Sequence, residues 1–402
     1  MKRRIRLQLS VMMFLEFFVW GSWFVTMGTY LGRELGSSGE DVGTAYMTQA
    51  WGAIIAPFVV GLIADRFFSA QRLLGVIHIL GAVLMYLIGT SEEFSRFYPL
   101  LLMYMILYMP TLALANSVAF NQMKDPSRQF AGVRLWGTIG WIVAGMLIGY
   151  LLQWEARELL SYTFILAGAS SLALGIFSFT LPDTPPRASG NKITFGEVVG
   201  VEALKLLKGR NYLIFFISSI LICIPLAFYY SFANPFMNEV GMENAAGNMA
   251  FGQISEVVFM LLLPVFLNRF GLKWTLIAGM LAWGLRYTLF AYGDAGSGVW
   301  MLFLGIVLHG ICYDFFFVSG QIFTDLKAGE KIRSAAQGLI TLATYGIGML
   351  IGYKVSGIIV DSYITDGGHA WREIWMYPAL FSYAVLLFFI LFFRNEKVSY
   401  QS

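Results

Sequence analysis

The sequence predicts an all-α integral membrane protein with twelve transmembrane helices in two pseudo-symmetric six-helix bundles. Of its 402 residues, 58% are hydrophobic and only 13% are charged, whereas soluble domains are nearer half apolar and a quarter charged. Twelve apolar stretches are long enough to cross a bilayer, which takes about 20 residues, and one segment recurs in the second half of the chain. A soluble enzyme is therefore disfavoured, and 16% aromatic residues exclude a disordered chain.

The twelve predicted spans fall into two groups of six, separated by the longest polar segment. The first group covers residues 7–30, 43–65, 72–90, 98–120, 132–153 and 160–181. The second group covers residues 212–236, 247–268, 273–292, 297–322, 334–359 and 373–393. We therefore predict three parts, an N-terminal bundle over 1–181, a cytoplasmic linker over 182–211 and a C-terminal bundle over 212–402. Within the linker, 197–208 is expected to form a short surface helix.

Lysine and arginine predict the orientation of these spans. Most of the 27 basic residues fall in the loops that are cytoplasmic if both termini are cytoplasmic. The net charge of +3 is too small to indicate a nucleic-acid partner. The two cysteines lie in apolar runs and the three histidines are far apart, so neither a metal site nor a cofactor is expected.

An internal repeat supports the division into two halves. Gly145-Met-Leu-Ile-Gly149-Tyr150 recurs as Gly348-Met-Leu-Ile-Gly352-Tyr353. At the same offset, Gly61-Leu-Ile-Ala-Asp65-Arg66 aligns with Pro264-Val-Phe-Leu-Asn268-Arg269. Parallel six-helix repeats are a transporter architecture, with substrate expected near the midplane between the halves. The repeated Gly-x-x-x-Gly favours close packing between spans over dimerisation.

Three acidic residues, Glu16, Glu256 and Asp314, lie inside predicted spans. An ionisable group there costs roughly 2.5–3.5 kcal/mol on insertion scales, so each is a candidate for proton coupling. Each could equally be a structural acid held by a hydrogen bond or an ion pair. Gln253 shares a helix face with Glu256, and the pair offers several donors and acceptors to a polar ligand.

Two polar stripes indicate further ligand contacts. Arg134, Thr138 and Trp141 follow one another at i, i+4 and i+7, on one helix face. They suit a planar polar ligand, although Arg134 could simply mark the cytoplasmic end of its span. His309 and Tyr313 form a stripe in the tenth span, which a structural His–Tyr pair would explain equally well.

Aromatic residues add weaker candidates. Trp20 and Trp23 share a face with Glu16, which favours either a stacking wall for a ligand or an acid paired with a distant base such as Arg134. Tyr230 in the seventh span is a further polar aromatic position. Because aromatic residues are abundant in this chain, a single one is weak evidence.

The segment Gly61-x-x-x-Asp65-Arg66, at the inner end of span two, resembles the loop signature of the major facilitator superfamily. That resemblance implies a conformational gating role for Gly61, Asp65 and Arg66. In the second-half copy, Pro264 and Asn268 replace the glycine and the aspartate.

Nearly the whole chain resembles the bacterial nucleoside:proton symporters of that superfamily. The motifs that carry the resemblance are Trp20-Gly-Ser-Trp23, Tyr108-Met-Pro-Thr-Leu112, Arg134-Leu-Trp-Gly-Thr-Ile-Gly140, Gln253-Ile-Ser-Glu256, Phe290-Ala-Tyr-Gly-Asp294, Asp314-Phe-Phe and Ser334-Ala-Ala-Gln-Gly338. The nucleoside-binding positions that it implies are Arg134, Thr138, Gln253, Glu256 and Tyr313. Trp141 stands where the family has phenylalanine, and His309 stands where it has tyrosine. Span seven differs as well, with Ala227 and Tyr230 at the positions of two polar ligands, and Glu16 stands where the family's nucleoside permease has glutamine.

The resulting hypothesis is proton-coupled uptake of nucleosides across the bacterial inner membrane by alternating access. Glu256 would take up the proton, with Glu16 next in line, and the carrier is expected to be a monomer. A different small polar solute, such as a sugar or a cell-wall saccharide, remains open because of the changed ligand positions. A non-transporting sensor also remains open, but the chain offers no room for a soluble signalling domain. No enzyme motif is present in the loops, so catalysis is not expected.

Overall fold

The computed structural model describes residues 2–59, 68–185 and 201–395, and this part of the chain is almost entirely helical. Helices α1–α7 are Arg3–Gly21, Met27–Arg33, Gly39–Val59, Ala70–Gly89, Phe94–Asn121, Pro126–Met146 and Ser161–Ser178. Helices α8–α13 are Arg210–Glu239, Ala245–Tyr292, Val299–Cys312, Ser319–Thr341, Met349–Ser362 and Trp371–Phe392.

Short non-α elements interrupt or join these helices. The π-helical segments Leu147–Leu152, Tyr313–Val318 and Leu342–Gly348 follow α6, α10 and α11 without a break. Strands β1 (Ile364–Thr365) and β2 (Gly368–His369) form an antiparallel hairpin before α13, with Ile364 opposite His369.

The helices confirm the predicted all-α membrane fold. In the described residues, nine helical runs are long and apolar enough to cross a bilayer. One of them, α9, has 48 residues and contains two predicted spans. The break between these spans is Gly271, whose φ of 77° is accessible to glycine at little cost. A similar break at Gly329 separates predicted spans ten and eleven.

The first predicted span, 7–30, is not one unbroken helix. Helix α1 ends at Gly21, a turn follows, and α2 begins at Met27. Local hydrogen bonds hold this turn, because the Ser22 hydroxyl donates to the Phe18 carbonyl at 2.6 Å and the Thr26 hydroxyl to the Trp23 carbonyl at 3.3 Å. Such side-chain bonds compete with the helical ladder.

Part of the expected surface helix over 197–208 is described, and it is a 3-10 helix over Val201–Lys208. Its Ala203 is fully buried against Ala336 and Leu339 of α11, whereas Leu204 is exposed. The segment is therefore anchored to the second half of the chain by its apolar side.

The chain divides into two compact units. Unit 1 comprises residues 1–37 and 45–194, and unit 2 comprises 38–44 and 195–402. One core of unit 1 brings together α1, α4, α5, α6 and α7; its members include Leu9, Met13, Leu74, Leu114, Val133 and Leu174. On the outside of α4, Val76, Leu80 and Val83 share one exposed face. Such an apolar face suits lipid rather than water.

Glycines set the closest helix contacts within each unit. In unit 1, Gly140 of α6 lies against the Phe14 carbonyl of α1, so that a Cβ there would clash. In unit 2, a Cβ on Gly310 of α10 would lie 2.6 Å from the Ser255 carbonyl oxygen of α9. The second Gly-x-x-x-Gly copy, Gly348 and Gly352, packs against α8. For this copy, the predicted packing role is confirmed.

We expect the substitution Gly140→Ala to destabilise unit 1, because the added methyl group meets the Phe14 carbonyl and forces α6 away from α1. Overpacking of this kind typically costs about 1–3 kcal/mol. Thermal unfolding of the purified protein in detergent measures the loss. Gly32→Ala is the control, since a Cβ at Gly32 meets no atom within 4 Å. Equal unfolding temperatures for the two variants would contradict the packing argument.

Candidate functional site

The predicted stripe on α6 forms a half-buried face of unit 1. Arg134, Thr138 and Trp141 are all partly accessible. The Arg134 guanidinium stacks over the Phe17 ring of α1, with its Cζ 4.0 Å from the ring centroid. The cation therefore has an aromatic partner and still leaves its donors available for a ligand.

Trp141 belongs to an aromatic wall built by α1, α5 and α6. Its ring meets Trp20 edge-on with centroids 5.4 Å apart, and Trp20 in turn meets Tyr108 at 5.7 Å. A Cβ on Gly21 would lie 3.1 Å from the Trp141 Cα, so a glycine at position 21 allows this approach. Trp23, predicted on the same face, is instead buried against Tyr104.

Glu16 lies in the interior of unit 1 and its partner is a histidine. The carboxylate is fully buried, and its Oε2 atom is 2.9 Å from Nε2 of His78 on α4. The Thr111 hydroxyl donates to Oε1 at 2.6 Å. Of the two alternatives for Glu16, the structure therefore favours a paired acid, with His78 rather than Arg134 as the partner.

In unit 2, Glu256 faces a buried pair of basic side chains. Its Oε2 atom is 3.9 Å from Nε2 of His309, and the Glu256 side chain keeps 17% of its surface accessible. Nη1 of Arg286 lies 3.0 Å from Nδ1 of His309. The Arg286 guanidinium also stacks on Tyr229, with its Cζ 3.4 Å from the ring centroid. This brings together Glu256 and His309, two of the predicted site residues.

Arg286 determines the orientation of the His309 ring. A guanidinium can only donate hydrogen bonds, so Nδ1 of His309 must accept. From this bond we assign a neutral imidazole with its proton on Nε2, the atom that faces Glu256. Close helix packing holds the arrangement, since the Gly310 N–H of α10 donates to Ser255 Oγ of α9 at 3.0 Å.

Two tyrosines extend this site. Tyr313 lies beside His309, with ring centroids 6.1 Å apart, and it interacts electrostatically with Tyr230 of α8. Gln253 is partly exposed one helical turn before Glu256. Unit 2 thus gathers a carboxyl group, an amide and phenol rings, which can hydrogen-bond and stack on a planar polar molecule.

Asp314 is the third predicted acid, and it is fully buried in the π-helical segment Tyr313–Val318. Neither carboxyl oxygen has a hydrogen-bond partner among the described residues. Segments of π-helix are frequent at functional sites. Asp314 therefore remains a candidate for proton binding on structural grounds as well.

The predicted gating residues Gly61, Asp65 and Arg66 lie outside the described residues. Within the described ranges, no group of three or more His, Cys, Asp or Glu side chains could hold a metal ion.

Sequence reasoning missed two site residues, His78 and Arg286. Both are ionisable groups inside predicted spans, which is itself a signal of function. Their partners come from other helices, however, so no i, i+4 spacing could have revealed the pairs.

Comparison with known proteins agrees with this architecture. The family model described as "Nucleoside H+ symporter" matches residues 2–398. The putative nucleoside transporter YegT of Escherichia coli is 44% identical, over 97% of this chain and 94% of its own. The xanthosine permease of the same organism is 34% identical, over 97% and 95% respectively.

Solved structures show the same similarity. A crystal structure of the nucleoside transporter NupG superposes with a TM-score of 0.87 at 30% identity, covering 98% of this chain and 100% of that one. The POT family transporter PepTSo, at 14% identity and a TM-score of 0.74, shares the fold alone. The chain therefore belongs to the nucleoside H+ symporter family, and it is a multi-pass membrane transporter of the major facilitator fold rather than an enzyme.

Proposed function

We propose that this protein imports a nucleoside together with a proton, with Glu256 as the coupling acid. The observation that supports Glu256 is its position beside a buried Arg286–His309 pair while its own carboxyl stays partly accessible. A group that exchanges its proton without a helix movement needs access to water, and a group that must respond to a ligand needs a fixed orientation. Glu256 meets both requirements.

Each unit would contribute one set of side chains to nucleoside recognition. Arg134 and Thr138 of unit 1 offer hydrogen bonds to ribose or base oxygens, and Trp141 offers a ring for stacking. Gln253 and Tyr313 of unit 2 offer paired hydrogen bonds and a second ring. Such contacts give the moderate affinity that suits a carrier, because the cargo must also be released.

The roles of the remaining predicted residues follow from burial. His309 is only 4% exposed, so we assign it to positioning Glu256 rather than to touching the substrate. Tyr230 lines the same site beside Tyr313. Asp314 is a secondary candidate for proton binding.

In the proposed cycle, Glu256 is protonated from the outside and the substrate binds. The binding site then changes from facing the outside to facing the cytoplasm, and the proton and the substrate are both released inward. The protonated carboxyl can donate a hydrogen bond to the substrate, whereas the carboxylate can only accept. Loss of the proton therefore changes what Glu256 offers the nucleoside, which links the two cargoes.

Uptake of labelled uridine and adenosine into proteoliposomes tests the proposal. We expect an inward proton gradient to stimulate uptake, and Glu256→Gln to abolish this stimulation while the protein still exchanges nucleoside across the membrane. Glu373→Gln, an amide substitution at an exposed acid of α13, is the matched control and should behave like the wild type. Competition between labelled nucleoside and a panel of sugars tests the alternative that the cargo is a sugar. Inhibition by a sugar, without nucleoside uptake by folded protein, would contradict the nucleoside assignment.

Arg286→Lys tests the orientation of Glu256 through His309. Lysine keeps the charge but loses the planar donor that bonds Nδ1 and stacks on Tyr229. A hydrogen bond to a charged group contributes about 1.5–3 kcal/mol, so we expect nucleoside affinity to fall by roughly tenfold or more. Equilibrium binding of labelled nucleoside measures the change. The control is Arg372→Lys, where an exposed guanidinium stacks on Tyr292 with its Cζ 4.8 Å from the ring centroid. If the two variants bound equally well, the positioning role would be wrong.

We also propose that the protein resides in the bacterial inner membrane with both termini cytoplasmic, as two six-helix bundles over 1–181 and 212–402 joined by the linker 182–211. The distribution of lysine and arginine supports this orientation. A C-terminal fusion to green fluorescent protein should fluoresce in whole cells, and the matching alkaline phosphatase fusion should be inactive. The opposite result would invert the topology.

A further inference from the structure

We propose that Glu16 and His78 together form a second proton-binding site, located inside unit 1, in which the two side chains share a single proton. The role of this site in transport rests on the proton-coupled uptake proposed above. The sharing itself rests only on the geometry of unit 1, so the two can be tested apart.

The pair is sealed within the unit. Glu16 has no exposed surface and His78 has 1%. The Tyr108 hydroxyl donates to the Glu16 backbone carbonyl at 2.7 Å, which fixes α1 against α5 at this level. On the other side of the ring, Nδ1 of His78 lies 2.9 Å from Ser171 Oγ of α7. Four helices therefore meet at the pair.

The hydrogen bonds fix the number of protons. The Ser171 hydroxyl donates its one proton to the His78 backbone carbonyl at 2.8 Å. Towards Nδ1, the Ser171 oxygen can therefore only accept, and Nδ1 must carry a proton. On the far side of the carboxylate, the Thr111 hydroxyl lies 2.6 Å from Oε1 and 2.5 Å from the Tyr108 carbonyl oxygen, and we assign its one proton to the carboxylate, the stronger acceptor. The 2.9 Å contact between Nε2 and Oε2 then needs one more proton to be attractive. That proton lies either on the imidazole, giving an ion pair, or on the carboxyl group, giving a neutral pair.

Release of the shared proton would destabilise the contact. The proton passes to water, the net charge of the pair changes from zero to −1, and two lone pairs then face each other in a medium of low dielectric. Relief requires Glu16 of α1 to move away from His78 of α4. Proton loss at this site is thereby coupled to a separation of α1 and α4.

Few other groups compete for this proton. Helix α5 contributes the phenols Tyr104 and Tyr108, both within electrostatic range of Glu16. Helix α6 contributes Arg134, which is stacked on Phe17. Helix α7 contributes the Ser171 hydroxyl, and its one titratable side chain, Tyr162, is half exposed. Among the described residues of these elements, His78 is the ionisable side chain in direct contact with the Glu16 carboxyl group.

A short row of contacts connects the pair to the predicted ligand face. The Glu16 backbone carbonyl accepts a hydrogen bond from the Tyr108 hydroxyl. The Tyr108 ring packs on Trp20, and Trp20 packs on Trp141. A nucleoside stacked on Trp141 would therefore press on the helix that holds Glu16. This gives a physical route by which substrate in unit 1 can favour one protonation state of the pair.

Nitrogen-15 NMR of histidine-labelled protein in lipid nanodiscs tests the shared proton directly. The chain has three histidines, so His78→Gln and His369→Gln suffice to assign the signals. We expect His78 to show a protonated Nδ1 and a partly protonated Nε2. His369, an exposed imidazole 2.8 Å from Glu239, is the internal reference. An unprotonated Nδ1, or an Nε2 signal that Glu16→Gln leaves unchanged, would overturn the proposal.

The transport arm measures the number of protons moved per nucleoside in proteoliposomes. We expect Glu16→Gln and His78→Gln each to lower this ratio by one, whereas Glu92→Gln, an exposed acid of unit 1, leaves it unchanged. A shared proton in the NMR spectrum with an unchanged ratio would make the pair purely structural and refute its role in coupling. Absence of gradient-driven uptake in the wild type would refute the proposed function instead, and the NMR result would still decide the pairing.

Discussion

The structure of both units depends on the requirement that a charge in an apolar interior must have a partner. A buried ion without one costs several kcal/mol, and removing one member of a pair costs about as much. Glu16 meets this requirement through His78. Arg286 meets it in part, through His309 and the face of Tyr229, while its Nε and Nη2 atoms have no hydrogen-bond partner among the described residues. Since the partners lie on different helices, these contacts also fix how the helices of each unit pack.

Close helix approach makes these pairs possible. Short contacts between polar groups on neighbouring helices need backbones that come close together. Gly140 allows α6 to approach α1 beside the unit 1 pair, and Gly310 allows α10 to approach α9 next to Glu256. Apolar side chains alone would pack the helices further apart, and the polar groups would then be left without hydrogen bonds. The glycines and the buried ionisable residues therefore belong to one structural arrangement.

A periodic sequence pattern records which residues share a face of one helix, and this limits how much of the arrangement the sequence could predict. Spacing along one helix predicted the Arg134–Thr138–Trp141 face and the proximity of Gln253 to Glu256, because helical geometry fixes neighbours at i+3, i+4 and i+7. Spacing could not predict that His78 meets Glu16, since contacts between helices depend on rotation and tilt. Hydropathy likewise gave the spans but not the break after Gly21, where side-chain hydroxyls add hydrogen bonds to backbone carbonyls over a few residues.

Each unit contains an acid facing a histidine, yet the two pairs differ in chemistry because of the group on the far side of the ring. Beyond His78 lies a serine oxygen that accepts, so Nδ1 donates and the Nε2 contact can hold a mobile proton. Beyond His309 lies Arg286, which can only donate, so Nε2 already carries the ring's one proton. The first imidazole can therefore exchange a proton with its acid, while the second points a fixed N–H at Glu256 across 3.9 Å and leaves the coupled proton to the Glu256 carboxyl group. It follows that the residue opposite Nδ1 decides whether the imidazole of such a pair can share its acid's proton.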